Sequence, residues 1–76
     1  MLLTEDIMFL KEFGLNLRRL REKNNLSQSQ IAFELGTSTR QYQRIEYGEI
    51  NTGLLTLKRL SRIFNVSMFD LLNTHK

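Results

Sequence analysis

Residues 28–47 read QSQIAFELGTSTRQYQRIEY, and this stretch decides the fold. Ile31, Ala32 and Leu35 recur at helical spacing, and Gly36 follows them where a helix ends in a left-handed residue. Ser27 stands just ahead, with Gln30 three positions on, the reciprocal capping pattern that opens a helix. A helix is therefore predicted over about Gln28–Leu35. Ser38 can cap a further helix over about Thr39–Tyr47, stopped by Gly48. Gly36-Thr37-Ser38 joins the two. Ala32 lets the helices approach closely, and Gly36 supplies a positive φ that a β-carbon resists.

Two helices this short, joined by a three-residue turn with glycine, form a helix-turn-helix over 28–47. At about 100° per residue the second helix has two sides. Tyr42, Ile45 and Glu46 fall on one. Arg40, Gln43, Arg44 and Tyr47 fall on the other, with Thr39 at the border. Arginine can reach guanine O6 and N7, glutamine adenine N6 and N7, and threonine a thymine methyl. Thr39, Arg40, Gln43 and Arg44 are thus the candidate base-reading residues. Gln28 heads a helix N-terminus, where free backbone N–H groups seat a phosphate. Ser27 and Gln41 flank it, Tyr47 lies within the exposed patch, and Gly53 offers a further N–H. These five are the candidate phosphate contacts. Glu46 faces inward, and a buried carboxylate needs a partner. Arg21, at the end of the first helix, is the expected one.

Outward from this stretch the pattern stays helical. Leu10, Phe13, Leu17 and Leu20 form one stripe, which Leu3 and Ile7 extend backwards. The first helix runs to Lys23 and starts near Thr4, as its N-cap, or near Leu10, leaving residues 1–9 as an extension in the second case. A fourth helix is expected over about Leu54–Phe64, with Leu54, Leu57, Leu60 and Phe64 on one face and Gly53 or Thr52 as cap. A fifth follows Ser67, over about Met68–Asn73. No strand-like alternation longer than four residues interrupts them. The expected class is all-α, five short helices in one domain spanning residues 1–76.

Composition narrows the chemistry. In 76 residues there is no cysteine, no proline and one histidine, His75. Disulfides and thiolate metal sites are excluded, and imidazole-based catalysis has one residue to draw on. The expectation is no enzyme, no metal, no cofactor and no small-molecule ligand. No apolar run approaches the ~20 residues of a membrane span, and the apolar start is broken by Glu5 and Asp6 without a positive leader. A cytoplasmic protein is expected. The net charge is +3, and from Lys11 onward eleven basic residues face six acidic ones, a balance of +5. That asymmetry fits a polyanionic partner.

With these residues in place the chain resembles the phage repressor/Cro-type, or XRE-like, helix-turn-helix domains of lambda-repressor-like fold. The resemblance rests on Gly14-Leu17-Arg18-Arg21, Leu26-Ser27-Gln28-Ala32-Gly36, Ile45-Glu46-Gly48 and Leu54-Leu57-Leu60, and covers about Phe13–Leu72. It implies base contacts from Thr39, Arg40, Gln43 and Arg44, phosphate contact and bracing by Gln28, and an ion pair between Arg21 and Glu46. It also implies a regulator of transcription that binds double-stranded DNA as a dimer on a palindromic operator. Three positions depart from the family pattern. Thr37 replaces a branched aliphatic in the turn. Tyr42 replaces one on the buried side, so its hydroxyl needs solvent or a partner. The loop Glu49-Ile50-Asn51-Thr52 lacks the Lys or Arg and the Pro often found there.

A chain with one recognition helix gains affinity by pairing two half-sites. The expected homodimer interface uses Phe69 and Leu72, turned outward from the last helix, and Ile50. The N-terminal Leu2, Leu3, Ile7 and Phe9 form the alternative. The competing function is a protein-interaction module, an antitoxin or adaptor on the same fold, and a regulatory protein partner is compatible with either reading.

Overall fold

The computed structural model describes residues 2–73, and among them every regular element is a helix. In chain order these are α1 (Thr4–Lys23), α2 (Gln28–Leu35), α3 (Thr39–Glu46), α4 (Leu54–Ile63) and α5 (Met68–Leu72). His75 lies outside the described residues.

Polar caps mark most boundaries. The Ser27 hydroxyl accepts the Gln30 N–H at 3.1 Å, and the Gln30 side chain accepts the Ser27 N–H at 2.6 Å. Ser38 and Ser67 accept the N–H of Gln41 and Asp70, at 3.1 and 2.9 Å. Gly36 holds φ 75°, and Asn25 and Asn65 take left-handed φ of 56° and 54° at the two turns after α1 and α4. The predicted helices 3, 4 and 5 each close one residue earlier than expected, because Tyr47, Phe64 and Asn73 serve as C-caps.

α1 takes the longer of its two expected starts, but its N-cap is Leu3, not Thr4. Asp6 explains the shift: as the third residue of the helix, its carboxylate accepts the N–H of Leu3 at 3.0 Å, the half of a capping box that reaches back to the N-cap backbone. Asp6 and Glu5 also place negative charge at the helix's positive end.

The core draws on every helix: Phe13, Leu17, Leu20, Ile31, Ala32, Leu35, Tyr42, Ile45, Leu60, Phe64 and Leu71. Two expected stripes stop short of it. Leu3 and Ile7 remain exposed, as is every residue of α1 up to Phe9. Leu54 is also exposed, since α4 packs on α2 and α5 through Leu60 and Phe64 beyond its first turn.

Two glycines allow the end of α3 to press on α1. A Cβ on Gly14 would collide with the Glu46 carbonyl, lying 2.8 Å from its carbon and 3.2 Å from the Ile45 oxygen. A Cβ on Gly48, at φ 74°, would stand 2.7 Å from Lys11 Cα. Asn16 ties α5 to α1. It is buried, its amide donates to the Leu71 carbonyl at 2.8 Å, and its oxygen accepts from Arg19 Nη2 at 2.7 Å.

Candidate nucleic-acid interface

α3 is seated by its inner face. Tyr42 is fully buried, and Ile45 and Glu46 nearly so. Its outer face carries Thr39, Arg40, Gln41 and Arg44, all exposed, with Gln43 half-buried at the edge toward α2. The helix thus presents two guanidiniums, a hydroxyl and amides on one convex strip, the polar inventory that can address base edges.

Beneath that strip lies a connected polar network. Arg21 Nε donates to Glu46 Oε2 and Arg21 Nη2 to Glu46 Oε1, both at 2.9 Å. This two-pronged ion pair has side chains only 13% and 1% exposed. Arg21 Nη1 also donates to the Leu26 carbonyl at 3.1 Å. Gln28 Nε2 donates to Glu46 Oε1 at 3.0 Å, and Gln43 Nε2 donates to Gln28 Oε1 at 3.0 Å. Burial works to raise the Glu46 pKa. The Arg21 hydrogen bonds, with the nearby Tyr42 hydroxyl and the Gln28 amide, outweigh it and hold the carboxyl below its ordinary 4.5. Glu46 in turn raises Arg21, which is ionised at any ordinary pH.

Tyr42 is the odd member. Its hydroxyl neither escapes to solvent nor finds a hydrogen-bond partner of good geometry. Burial, with the Glu46 carboxylate adding, pushes the phenol far above its usual range, so it stays neutral. The ring lies wholly in the core, with its hydroxyl set beside the Glu46 carboxylate.

The five candidate phosphate contacts divide into two groups. Ser27, Gln28 and Tyr47 line one recess of about 300 Å³, together with Arg18 and Arg21. Gln41 and Gly53 line another, of about 270 Å³, with Thr37, Asn51 and Arg59. The expectation that Gln41 flanks Gln28 is therefore corrected: the wheel places Gln41 on the edge of α3 that faces the α3–α4 loop, away from α2. Gly53 is the N-cap of α4 in extended conformation. Sequence pattern gives Arg18 and Arg59 no contact. Arg18 is one helical turn before Arg21 and was legible as a neighbour, whereas Arg59 reaches its recess only through the packing of α4. Arg18 pairs with Glu22 at 3.1 Å, and Arg44 with Glu49 at 3.7 Å, both on the surface. Exposed pairs of this kind are weak, so neither arginine is withheld from another anion.

Of the three residues expected at a dimer interface, only Phe69 stands clear, 73% exposed. Leu72 and Ile50 are half-buried and pack against the core, which corrects the expectation that Leu72 points outward. The helical wheel sets Leu72 closer to exposed Phe69 than to buried Leu71, so its partial burial comes from the packing around the end of α5 and not from the wheel. Leu2, Leu3, Ile7 and Phe9 are all exposed. Among the described residues no cluster of metal-binding side chains occurs, and no helix is long and apolar enough to cross a membrane.

A search of curated proteins found no match. Among solved structures, the chain is similar to the restriction-modification controller protein C.AhdI from Aeromonas hydrophila. The two superpose with a TM-score of 0.80 at 29% identity, covering 86% of this chain and 94% of that one. The helix-turn-helix family matches residues 17–71, from the second half of α1 into α5. On that match and on the five-helix architecture around α2 and α3, the chain belongs to the repressor/Cro-type helix-turn-helix family of DNA-binding transcriptional regulators.

Proposed function

We propose that this protein represses transcription as a homodimer bound to a specific palindromic operator, with residues 1–76 acting as one DNA-binding domain. The observation that carries the reading is the state of α3: its inner face is locked by the Arg21–Glu46 pair, and its outer face offers Thr39, Arg40, Gln43 and Arg44. A helix held rigidly while its free side carries guanidinium and amide groups suits entry into the major groove. In this reading Arg40 and Arg44 contact base acceptors, Gln43 an adenine or cytosine edge, and Thr39 a thymine methyl. Ser27, Gln28 and Tyr47 flank one DNA strand on the α2 side, and Gln41 and Gly53 the other on the α4 side. Phe69 supplies the apolar centre of the dimer contact, which spaces two recognition helices about 34 Å apart. The likeness to a controller protein supports the regulatory part of the reading.

Selection from a randomised duplex library, followed by mobility-shift titration, tests it. Arg40→Ala and Arg44→Ala should each cost ~1–3 kcal/mol on the selected site and relax preference at separate base pairs, with an unchanged circular dichroism spectrum. Sedimentation of Phe69→Glu should give monomers with retained helix and weaker operator binding. A reporter driven through the selected site should fall in output when the protein is present. Binding that is weak, unselective and abolished by moderate salt would favour the protein-interaction reading instead.

A further inference from the structure

From Leu2 to Phe9 every residue is exposed, and Leu2, Leu3, Ile7, Met8 and Phe9 are large and apolar. Scattered surface hydrophobics are ordinary, but five within two turns make one patch, and such patches mark contacts. The segment has a fixed shape, because Asp6 accepts the Leu3 N–H at 3.0 Å and holds the helix end. It carries Glu5 and Asp6 and no base before Lys11, so DNA phosphate repels it. The family match begins at residue 17, and these turns lie outside it.

A recess of about 300 Å³ adjoins the segment. Leu2, Phe9 and Leu10 give it apolar walls, and Asp6 and Asn51 of the α3–α4 loop complete it. That volume is at the bottom of the ~300–1,000 Å³ range of small-molecule pockets and suits one large side chain. Phe69 is a free one on the same flank. Asn16 ties α5 to α1 through the Leu71 carbonyl, at 2.8 Å. Phe9 stands seven residues before Asn16, about 20° round the helix and about 10 Å along it, so α5 and the recess lie along one side of α1. Phe69 is mostly exposed and does not fill the recess of its own chain. By itself it is also too small for a stable dimer. Such an interface removes about 800 Å² from each partner, and one aromatic side chain supplies about 150–250 Å².

Building on the reading of this protein as a homodimer with Phe69 in its contact, we propose that the first two turns of α1 are the arm that completes the dimer: Phe69 of the second copy seats in the recess formed by Leu2, Phe9, Leu10 and Asn51. Each copy offers one knob and one recess, so two-fold symmetry makes the contact twice. The arm then supplies the apolar area that one turn of α5 lacks.

Sedimentation equilibrium on the full chain tests it, with Phe9→Ser, Phe69→Ser and the double variant set against the parent. All of these positions are exposed, so circular dichroism should not change. Each single variant should weaken dimerisation about tenfold or more, the worth of burying one such ring. The double variant should be little weaker than either, because the two residues share one contact. Phe33→Ser, an exposed aromatic on α2, should match the parent. The chain has no cysteine, so Asn51→Cys and Asp70→Cys each carry a single thiol, one at the recess and one beside Phe69. Mixed and treated with a short bismaleimide, they should yield mainly the product that joins the two different variants. A Phe9→Ser protein that dimerises like the parent while Phe69→Ser does not, or losses that add in the double variant, overturns the inference and leaves the Phe69 dimer standing. Asp70→Cys linked only to itself does the same, since it sets α5 against α5. If Phe9→Ser weakens the dimer and Phe69→Ser does not, the arms meet each other, and both the inference and the role of Phe69 fall. A parent that stays monomeric with and without its selected DNA site overturns the homodimer reading itself.

Discussion

Replacing Glu46 by alanine removes the acceptor of three hydrogen bonds, two from Arg21 and one from Gln28. It leaves a guanidinium whose side chain is only 13% exposed, still bonded to the Leu26 carbonyl at 3.1 Å. Breaking a buried pair by deleting one partner costs ~3–5 kcal/mol. The surviving Leu26 contact and the residual exposure place the expected loss near the low end, about 3 kcal/mol. At roughly 0.05–0.15 kcal/mol per residue, a chain of this length has about 4–11 kcal/mol in total. The variant therefore keeps a native state of greatly reduced stability, or loses it. Urea denaturation followed by circular dichroism reads the change directly. With a slope of about 1 kcal/mol/M for so small a protein, the midpoint should fall by about 3 M. The double replacement Arg21→Met with Glu46→Leu should lose less than either single alanine variant, because no charge is then stranded. A Glu46→Ala midpoint within error of the parent would refute the reasoning. It would mean that Arg21 regains its hydration at no cost and that the pair contributes as little as a surface one.

Three further outcomes follow from the same packing. The folded Glu46 carboxyl titrates below its ordinary 4.5, so its contribution should be fully present above that value and lost as pH falls through the lower folded one; Glu46→Gln should show a shallower loss of denaturant midpoint in acid, and parallel profiles would assign the acid sensitivity elsewhere. Gly14→Ala forces a methyl onto the Glu46 backbone and should cost ~1–3 kcal/mol or more in thermal unfolding, whereas Gly36→Ala meets open space and carries only the left-handed φ penalty, about 1 kcal/mol; equal losses would show that α3 shifts freely away from α1. Asn16→Ala strips the side-chain donor from the Leu71 carbonyl and should cost ~1–3 kcal/mol, with faster amide exchange in α5 as its local signature; unchanged exchange would mean that Leu71 alone holds that helix.

Local chemistry was legible in the sequence because it acts within a few residues. Ser27 with Gln30, Ser38, Ser67 and Gly36 each set a helix end through bonds spanning three or four positions. The two faces of α3 follow from helix periodicity, so the burial of Tyr42, Ile45 and Glu46 could be read from spacing alone. The need of an inward carboxylate for a cation pointed to Arg21, 25 positions from Glu46, and the family resemblance implied the same pair. Where the chain folds back on itself, sequence pattern was silent. Asn16 reads as an ordinary surface amide until α5 lies across it. Leu3, Ile7 and Leu54 carry the apolar signal of buried stripes and yet stay exposed, because periodicity reports a helix face and not whether another helix reaches it. Asp6 displaced the expected cap by one residue because its carboxylate bonds the N–H of Leu3, the residue just outside the helix. The Glu46–Gln28–Gln43 chain depended on three side chains meeting at 3.0 Å, a coincidence of α2 and α3 packing that no single helix encodes. Helix ends and faces arise from bonds along the chain, whereas the chain's polar network arises from distances that only the assembled helices set.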